Sequence, residues 1–271
     1  MRLSIRHTTR YAFTRPIAHG LQRLRLQPKS THGQRVIDWR MELEGARFEV
    51  EYDDHYANRT SLVSVDPGSQ ALFVSCTGIV ETADNSGIVG PHVGPMPLWR
   101  FLMQTPLTRP GPRMRALASA HEIDRSNMLA TLHDLSAAVL EAVSYAPGYT
   151  NVETPAEEAI ALGYGVCQDH THVFIGAARL MGIPARYVSG YLMMNDRVEQ
   201  DAGHGWAEAH VDNLGWVAFD VSNGIGPDAR YVRVASGCDY RDAAPITGLS
   251  FGGGQSELSV SVTVEQQRMQ Q

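Results

Sequence analysis

Apolar and polar residues alternate through the first eighty positions, which is the pattern of β-strands with one buried face. Phe48, Val50 and Tyr52, separated by single glutamates, predict a strand whose apolar face is half buried. Similar runs rich in Val, Ile, Phe and Tyr recur between turn signals, at residues 3–13, 21–28, 36–43, 47–53, 60–65 and 71–81. We therefore expect an N-terminal antiparallel β-sandwich over residues 1–100.

A segment rich in proline and glycine at residues 84–112 interrupts this pattern and marks a connector, with a domain boundary near residue 100. Beyond it the apolar period lengthens. Leu132, Leu135 and Val139 recur at intervals of three and four residues, so they predict a helix from about 128 to 145.

Two further helices are predicted from local signals. Thr154 as N-cap, Pro155 at the first helical position and Glu157 at the third predict a short helix that ends at Gly163. An apolar face and a terminating glycine predict a helix over residues 167–181.

After these helices the period returns to two, which predicts strands at residues 185–194, 203–212 and 215–223 and a C-terminal strand at 258–264 that returns to the N-terminal sheet. The fold class is therefore α+β. We expect residues 101–271 to form a core of helices packed on an antiparallel sheet, together with that C-terminal strand.

Charge and hydropathy exclude some function classes. The net charge is −6 with a sequence pI of about 6.0, so no basic stripe predicts binding to nucleic acid. Arg2, Arg6 and Arg10 interrupt any apolar run of a secretory signal, and no stretch approaches the roughly 20 apolar residues that span a bilayer. We expect a cytoplasmic protein with no membrane partner.

The cysteines and histidines do not predict a metal site. Cys76, Cys167 and Cys238 lie far apart without Cys-x-x-Cys spacing, and we expect Cys76 to be a core residue and Cys238 to lie in a loop. No carboxylate or thiolate spacing completes a site with the most conspicuous histidines, which are His170, His172, His204 and His210. We expect no metal and no cofactor.

Cys167 is the candidate nucleophile. It follows two glycines at the predicted start of an apolar helix, where free backbone N–H groups and the helix dipole favour a thiolate and can hold an oxyanion. A thiolate needs a base that also protonates the leaving group, and His204 is the candidate. Asp220, on the partner strand of the predicted hairpin, is the candidate acceptor that orients the imidazole. Asp169 is expected to interact favourably with the positive end of the helix dipole and not to act in catalysis.

These motifs, GYGVCQDHTH, GIPARYVSGYL, HGWAEAH and GWVAFDVSNG, resemble the bacterial transglutaminase-like family over roughly residues 110 to 245, and the first hundred residues resemble its accompanying N-terminal β region. The resemblance implies a papain-like core with a Cys–His–Asp triad at Cys167, His204 and Asp220. Gly205 departs from the alanine usual after the histidine, and Val221-Ser222 replaces the usual Pro-Thr.

Three residues near these motifs are candidates for substrate binding. Trp206 and Tyr191 flank the predicted site and either wall an acyl-binding groove or pack in the core. Gly165 is the third candidate, because glycine leaves the sulfur accessible. The Asn223-Gly224 pair predicts a turn first and a site role second.

The expected function is cysteine-dependent acyl transfer on a peptide or carboxamide through a thioester, with hydrolysis favoured over transamidation. A transglutaminase and a non-catalytic peptide- or protein-binding module remain the alternatives. The expected partners are a peptide or protein substrate and, from the resemblance, a peptide-ligase-type protein.

Overall fold

A computed structural model of the protein describes residues 1–121, 124 and 126–267. The helices are α1 (Pro112–Ser119), α2 (Met128–Ala142), α3 (Ala156–Leu162), α4 (Cys167–Leu180) and α5 (Tyr240–Ala243), with a 3₁₀ turn at Leu98–Leu102. The strands are β1 (Arg2–Phe13), β2 (Ile17–Leu24), β3 (Gln34–Glu44), β4 (Ala46–Asp53), β5 (Arg59–Val65), β6 (Ala71–Thr82), β7 (Ile88–Gly90), β8 (Ser144–Tyr145), β9 (Tyr164–Gly165), β10 (Ala185–Leu192), β11 (Glu199–Gln200), β12 (His204–Val211), β13 (Gly215–Phe219), β14 (Tyr231–Gly237), β15 (Ile246–Gly252) and β16 (Ser256–Gln266).

The N-terminal strands form the predicted antiparallel β-sandwich. One sheet has the order β11-β16-β1-β6-β3, and the other has the order β15-β2-β5-β4. Side chains of β2 and β5 such as Leu24 and Val63 pack against Leu72 and Val74 of β6, so alternate residues of both sheets fill the sandwich.

The prediction for β4 is wrong in one respect. Phe48, Val50 and Tyr52 are 44%, 49% and 38% exposed, although their alternation predicted a half-buried face. β4 is the last strand of its sheet, and nearly all of its residues are exposed on both faces. Alternation identified the strand, but it could not show whether another layer covers it.

A third sheet has five strands in the order β14-β10-β12-β13-β7, and α4 packs against it. Val173, Phe174 and Ala177 of α4 meet Ala207 and Ala209 of β12 in its core. The predicted helices over 128–145 and 167–181 are confirmed within a few residues, as is the β12–β13 hairpin. α1 and the short β7 were not predicted.

The start of α3 differs from its prediction. α3 begins at Ala156, because the Thr154 hydroxyl accepts a hydrogen bond from the Asn151 N–H instead of capping the helix. The Glu157 carboxylate accepts the backbone N–H groups of Gly111, Arg113 and Met114, so it caps α1. Glu157 therefore caps α1, a neighbouring helix, and not α3, the helix in which it lies.

The C-terminal strand returns to the sandwich as predicted, since β16 pairs with β1 from Leu3↔Gln266 to Phe13↔Ser256. β15, which was not predicted, pairs with β2. The boundary near residue 100 stays a prediction, but residues 246–266 complete the two N-terminal sheets in space.

One face of the first sandwich sheet also packs on the five-stranded sheet, on the side opposite α4. Leu3 and Ile5 of β1 contact Val232 of β14 and Tyr191 of β10 in a second apolar cluster. His7 lies at the junction, where its Nδ1 is 2.9 Å from the Tyr191 hydroxyl. The sandwich therefore supports β10 from behind.

Candidate active site

Cys167 is the first residue of α4, as predicted, with Val166 as its N-cap. It is partly exposed, whereas Cys76 and Cys238 are fully buried. Burial raises the pKa of Cys76 to about 12. Cys238 lies in the bend between β14 and α5, as predicted, but it is buried there and its sulfur accepts a hydrogen bond from the Tyr56 hydroxyl. Cys167 is thus the thiol placed for reaction among the three.

Gly165 makes room for a buried carboxylate beside the nucleophile. A Cβ atom at position 165 would lie 2.7 Å from Asp169 Cβ. Asp169 Oδ2 accepts hydrogen bonds from the Val166 N–H at 2.8 Å and the Thr150 hydroxyl at 2.7 Å. Asp169 therefore fixes the start of α4, as expected, and Gly165 provides the space for its side chain, while the substrate contact of Gly165 stays a prediction.

His204 and Asp220 meet at the open end of the β12–β13 hairpin. His204 Nε2 lies 2.6 Å from Asp220 Oδ2, with side-chain exposures of 13% and 0%. Because the carboxylate can only accept, Nε2 carries the ring proton and Nδ1 is left as the nitrogen able to take a proton from a thiol. The two residues predicted from the hairpin are thus brought together.

Two further groups hold Asp220. Oδ2 also accepts hydrogen bonds from Asn223 Nδ2 and the Tyr231 hydroxyl, both at 2.7 Å. Burial works to raise the pKa of Asp220, but the hydrogen bonds from His204, Asn223 and Tyr231 outweigh it and hold the pKa below its ordinary value. Asp220 is therefore an ionised, fixed acceptor.

Asp220 and Cys167 both change the pKa of the His204 imidazole. Burial works to lower the pKa of His204, but the hydrogen bond to Asp220 and the nearby Cys167 sulfur outweigh it and raise the pKa. Within the described residues no well-aligned hydrogen bond joins the Cys167 sulfur to the ring, and Cys167 acts on the imidazole through its contribution to the pKa. His204 is thus joined to Asp220 by a hydrogen bond and is influenced by Cys167.

Trp206 lies beneath the imidazole. Its ring is 6.2 Å from the His204 ring at 29°, and it meets the Tyr231 ring edge to face at 5.5 Å. Gly190 leaves space for it, because a Cβ there would lie 2.7 Å from the indole. At 2% exposure Trp206 supports His204 and does not wall an open groove.

Tyr191 is not at the site. It is 2% exposed, belongs to the cluster behind the sheet and bonds His7. The pairing of β10 with β14 shifts register between Ser189 and Gly190, which turns Tyr191 away from α4. The predicted substrate contact of Tyr191 is therefore incompatible with its position.

The histidines of α4 have structural partners. His170 Nε2 lies 2.8 Å from the Val143 carbonyl and its Nδ1 lies 2.8 Å from the Ser222 hydroxyl, which ties the loop after Asp220 to the helix. His172 Nε2 accepts the Tyr240 N–H. Among the residues that the structure describes, no three His, Cys, Asp or Glu side chains group as metal ligands.

Sequence reasoning missed two aromatic residues of the site. Tyr231 bonds Asp220, although no motif pointed to it. Tyr145 pairs with Gly165 in the short β8–β9 ladder and is 57% exposed beside the nucleophile. Only the tertiary contact shows either residue, whereas Asn223 was already marked as a possible site residue.

A cysteine at a helix N-terminus that faces a His–Asp pair on an antiparallel sheet is the arrangement of papain-like folds. The model of the transglutaminase-like superfamily matches residues 117–221, and that of the bacterial transglutaminase-like N-terminal region matches residues 3–81. The two halves of the chain are therefore similar to the core and to the N-terminal region of bacterial transglutaminase-like proteins.

Relatives span the whole chain. An uncharacterized protein of Mycobacterium leprae is 29% identical over 97% of this chain and 98% of its own length, and one of Mycobacterium tuberculosis is 26% identical over 97% and 92%. The solved structure of a proposed cysteine protease from Cytophaga hutchinsonii covers 100% of this chain and 92% of that chain, with a TM-score of 0.73 and 19% identity. That likeness shows the fold alone.

Proposed function

We propose that the protein is a cysteine-dependent acyl-transfer enzyme that acts on a peptide or carboxamide. The observation that carries this proposal is the His204–Asp220 contact of 2.6 Å next to a partly exposed thiol at the start of α4. A buried His–Asp pair directed at a cysteine is the geometry that activates a thiol nucleophile.

The proposed reaction has two halves. Cys167 passes its proton to His204 Nδ1, and the sulfur bonds to the carbonyl carbon. The C–N bond then breaks, His204 returns the proton to the departing amine, and a thioester remains. In the second half His204 removes a proton from water, and the hydroxyl adds to the carbonyl carbon. The C–S bond then breaks, a carboxylic acid leaves, and the proton on His204 returns to the sulfur.

Hydrolysis is the favoured outcome, which makes the enzyme a peptidase or amidase. Replacing water by an amine in the second half gives a transglutaminase. A non-catalytic binding module is the less favoured alternative, because three hydrogen bonds converge on Asp220 Oδ2 and hold the histidine's acceptor in place. A binding platform has no need of an ionised buried carboxylate.

Sub-stoichiometric iodoacetamide, followed by mass spectrometry, tests the proposal. We expect Cys167 to be labelled far ahead of Cys76 and Cys238, and His204→Ala to slow the labelling at neutral pH by about tenfold or more. His210→Ala is the matched control, since its histidine lies at the far end of β12. Labelling that ignores His204, or that spreads evenly over the three cysteines, favours the binding module.

The partner and the location are parts of the same proposal. A peptide or protein is the proposed substrate, and a peptide-ligase-type protein is the proposed partner. We place the protein in the cytoplasm, and its three unpaired cysteines suit a reducing compartment. No helix within the described ranges has the length and apolar character to cross a membrane. Cell fractionation tests the location.

A further inference from the structure

Tyr187 is a buried tyrosine on the side of β10 that faces α4. It is 2% exposed, and its ring lies 5.3 Å from the His172 ring and 5.9 Å from the Tyr240 ring. The register of the sheet pairs it with Ala207 of β12. Its ring therefore belongs to the layer between the sheet and the helix that begins with Cys167.

The hydroxyl of Tyr187 reaches the residue next to the catalytic base. A methyl group at position 205 would lie only 2.2 Å from Tyr187 Oη, well inside van der Waals contact. The hydroxyl thus occupies the space beside His204 that a side chain at position 205 would need. Gly205, the departure from the usual alanine, is what permits this placement.

This hydroxyl is a free donor. Within residues 1–121, 124 and 126–267 it makes no hydrogen bond, and it is not one of the fully buried polar atoms that lack a partner, so its oxygen keeps some contact with solvent. Burial first, and next the nearby Cys167 sulfur, raise the pKa of Tyr187 well above its usual value. The hydroxyl therefore stays protonated and is available to donate a hydrogen bond to a group that reacts at Cys167.

Building on the acyl-transfer reaction proposed above, we propose that Tyr187 is a catalytic residue whose hydroxyl donates a hydrogen bond to the oxyanion formed when Cys167 attacks. In that step the sulfur bonds to the carbonyl carbon and the carbonyl π pair moves onto the oxygen. Tyr187 keeps its proton throughout and stabilises the new charge. The Cys167 backbone N–H, in the first turn of α4, is the second donor.

Two reactions of the same sulfur separate this role from a structural one. Acylation by p-nitrophenyl acetate passes through an oxyanion, whereas alkylation by iodoacetamide is a displacement at a saturated carbon and forms none. For Tyr187→Phe we expect acylation of Cys167 to slow by about 10- to 100-fold while alkylation is little changed. Tyr56→Phe, which removes a hydroxyl bonded to Asp242, is the matched control and should leave both rates little changed.

Each other outcome contradicts the inference. An equal loss in both reactions means that Tyr187 acts on the sulfur or on packing, and no loss in either means that the hydroxyl has no catalytic part. If iodoacetamide labels Cys167 in the parent but p-nitrophenyl acetate never acylates it, the proposed function itself fails, and the inference falls with it.

A second pair of variants tests the geometry. Gly205→Ala should lower Tm and slow acylation, because the methyl group displaces Oη. Tyr187→Phe/Gly205→Ala should recover part of the lost Tm, since the oxygen is gone, but should acylate as slowly as Tyr187→Phe. Recovery of acylation in the double variant would show that the hydroxyl acts only through its size.

Discussion

Asp220 Oδ2 accepts three hydrogen bonds, from His204, Asn223 and Tyr231, at 2.6 to 2.7 Å. Such convergence keeps a buried carboxylate ionised, and an ionised acceptor keeps the imidazole in one tautomer and one direction. In the proposed reaction Asn223 and Tyr231 are therefore positioning residues, because they would act on the chemistry through Asp220. The loop from 220 to 225 is also closed by backbone hydrogen bonds between Asp220 and Ile225.

Tyr231→Phe tests this support. The folded pKa of Asp220 is lowered, so its ionised form is lost as pH falls through that value, and removing one donor moves the loss to higher pH. A hydrogen bond to a charged group contributes about 1.5 kcal/mol or more, which predicts a shift of roughly one pH unit. The measurement is the pH profile of Cys167 alkylation.

Asp220→Asn is the reference variant for this profile, since it should be slow at every pH. Tyr231→Phe should instead approach the parent rate at high pH and fall below it in acid. An acid limb that does not move would show that Tyr231 only packs against Trp206.

At the scale of elements, α4 begins at Cys167, the proposed nucleophile, and neighbouring elements hold the helix in position. Asp169 fixes its first turn, and His170 ties it to the Asp220 loop. α1 packs on it where Met114 lies against Gly176, which has no room for a side chain. The helix is thus held at its start by hydrogen bonds and along its length by close packing.

Glu157→Ala should destabilise the fold through α1. The Glu157 carboxylate accepts three backbone N–H groups at the start of α1, so its loss is equivalent to the loss of a helix cap and costs about 1–2 kcal/mol. Urea unfolding measures the change. Glu158→Ala is the matched control because Glu158 is exposed, and a surface change of this kind should stay within about 0.5 kcal/mol. If both variants changed the free energy of unfolding equally, Glu157 would not act as a cap of α1.

At the scale of the whole molecule, the first sandwich sheet has two packing partners on one face. One end of β1 and β6 covers the second sandwich sheet. The other end covers the five-stranded sheet β14-β10-β12-β13-β7, on the side opposite α4. β10 is consequently buried on both faces, with Tyr187 toward α4 and Tyr191 toward β1. The N-terminal half therefore stabilises the strand that carries Tyr187.

His7, at this junction, predicts acid sensitivity. Burial lowers the pKa of His7 to about 4 from an ordinary value of 6.5, so the imidazole is neutral in the folded protein at neutral pH. The contribution of His7 to the free energy of unfolding is complete above pH 6.5 and is lost progressively as pH falls toward 4. By pH 5 the loss is about 2 kcal/mol. We expect His7→Gln to be less stable at pH 7 but to lose less between pH 7 and pH 5.

Thermal unfolding of both proteins at the two pH values measures this difference. His32→Gln, a change at an exposed histidine, controls for general effects of removing an imidazole. An unchanged pH dependence in His7→Gln would assign the acid sensitivity to another buried histidine, such as His172, whose pKa burial and the nearby Arg179 and Arg241 lower to about 3.

The sequence by itself determined the strands of the sandwich, the helix that begins at Cys167, the β12–β13 hairpin and the proximity of His204 to Asp220. These features follow from local periods, caps and turns, and a hairpin brings its own strands together. The sequence also showed the resemblance to bacterial transglutaminase-like proteins, because the motifs around Cys167, His204 and Asp220 are contiguous blocks of residues.

Only the tertiary structure decided which neighbours share a face. A period of two places Tyr187 and Tyr191 on the same side of β10, but the register shift after Ser189 turns them to opposite sides, and no local signal records it. Likewise, Glu157 caps α1 and Phe48 stays exposed because of which elements meet in space. Contacts between distant segments depend on packing, and packing is a property of the whole chain.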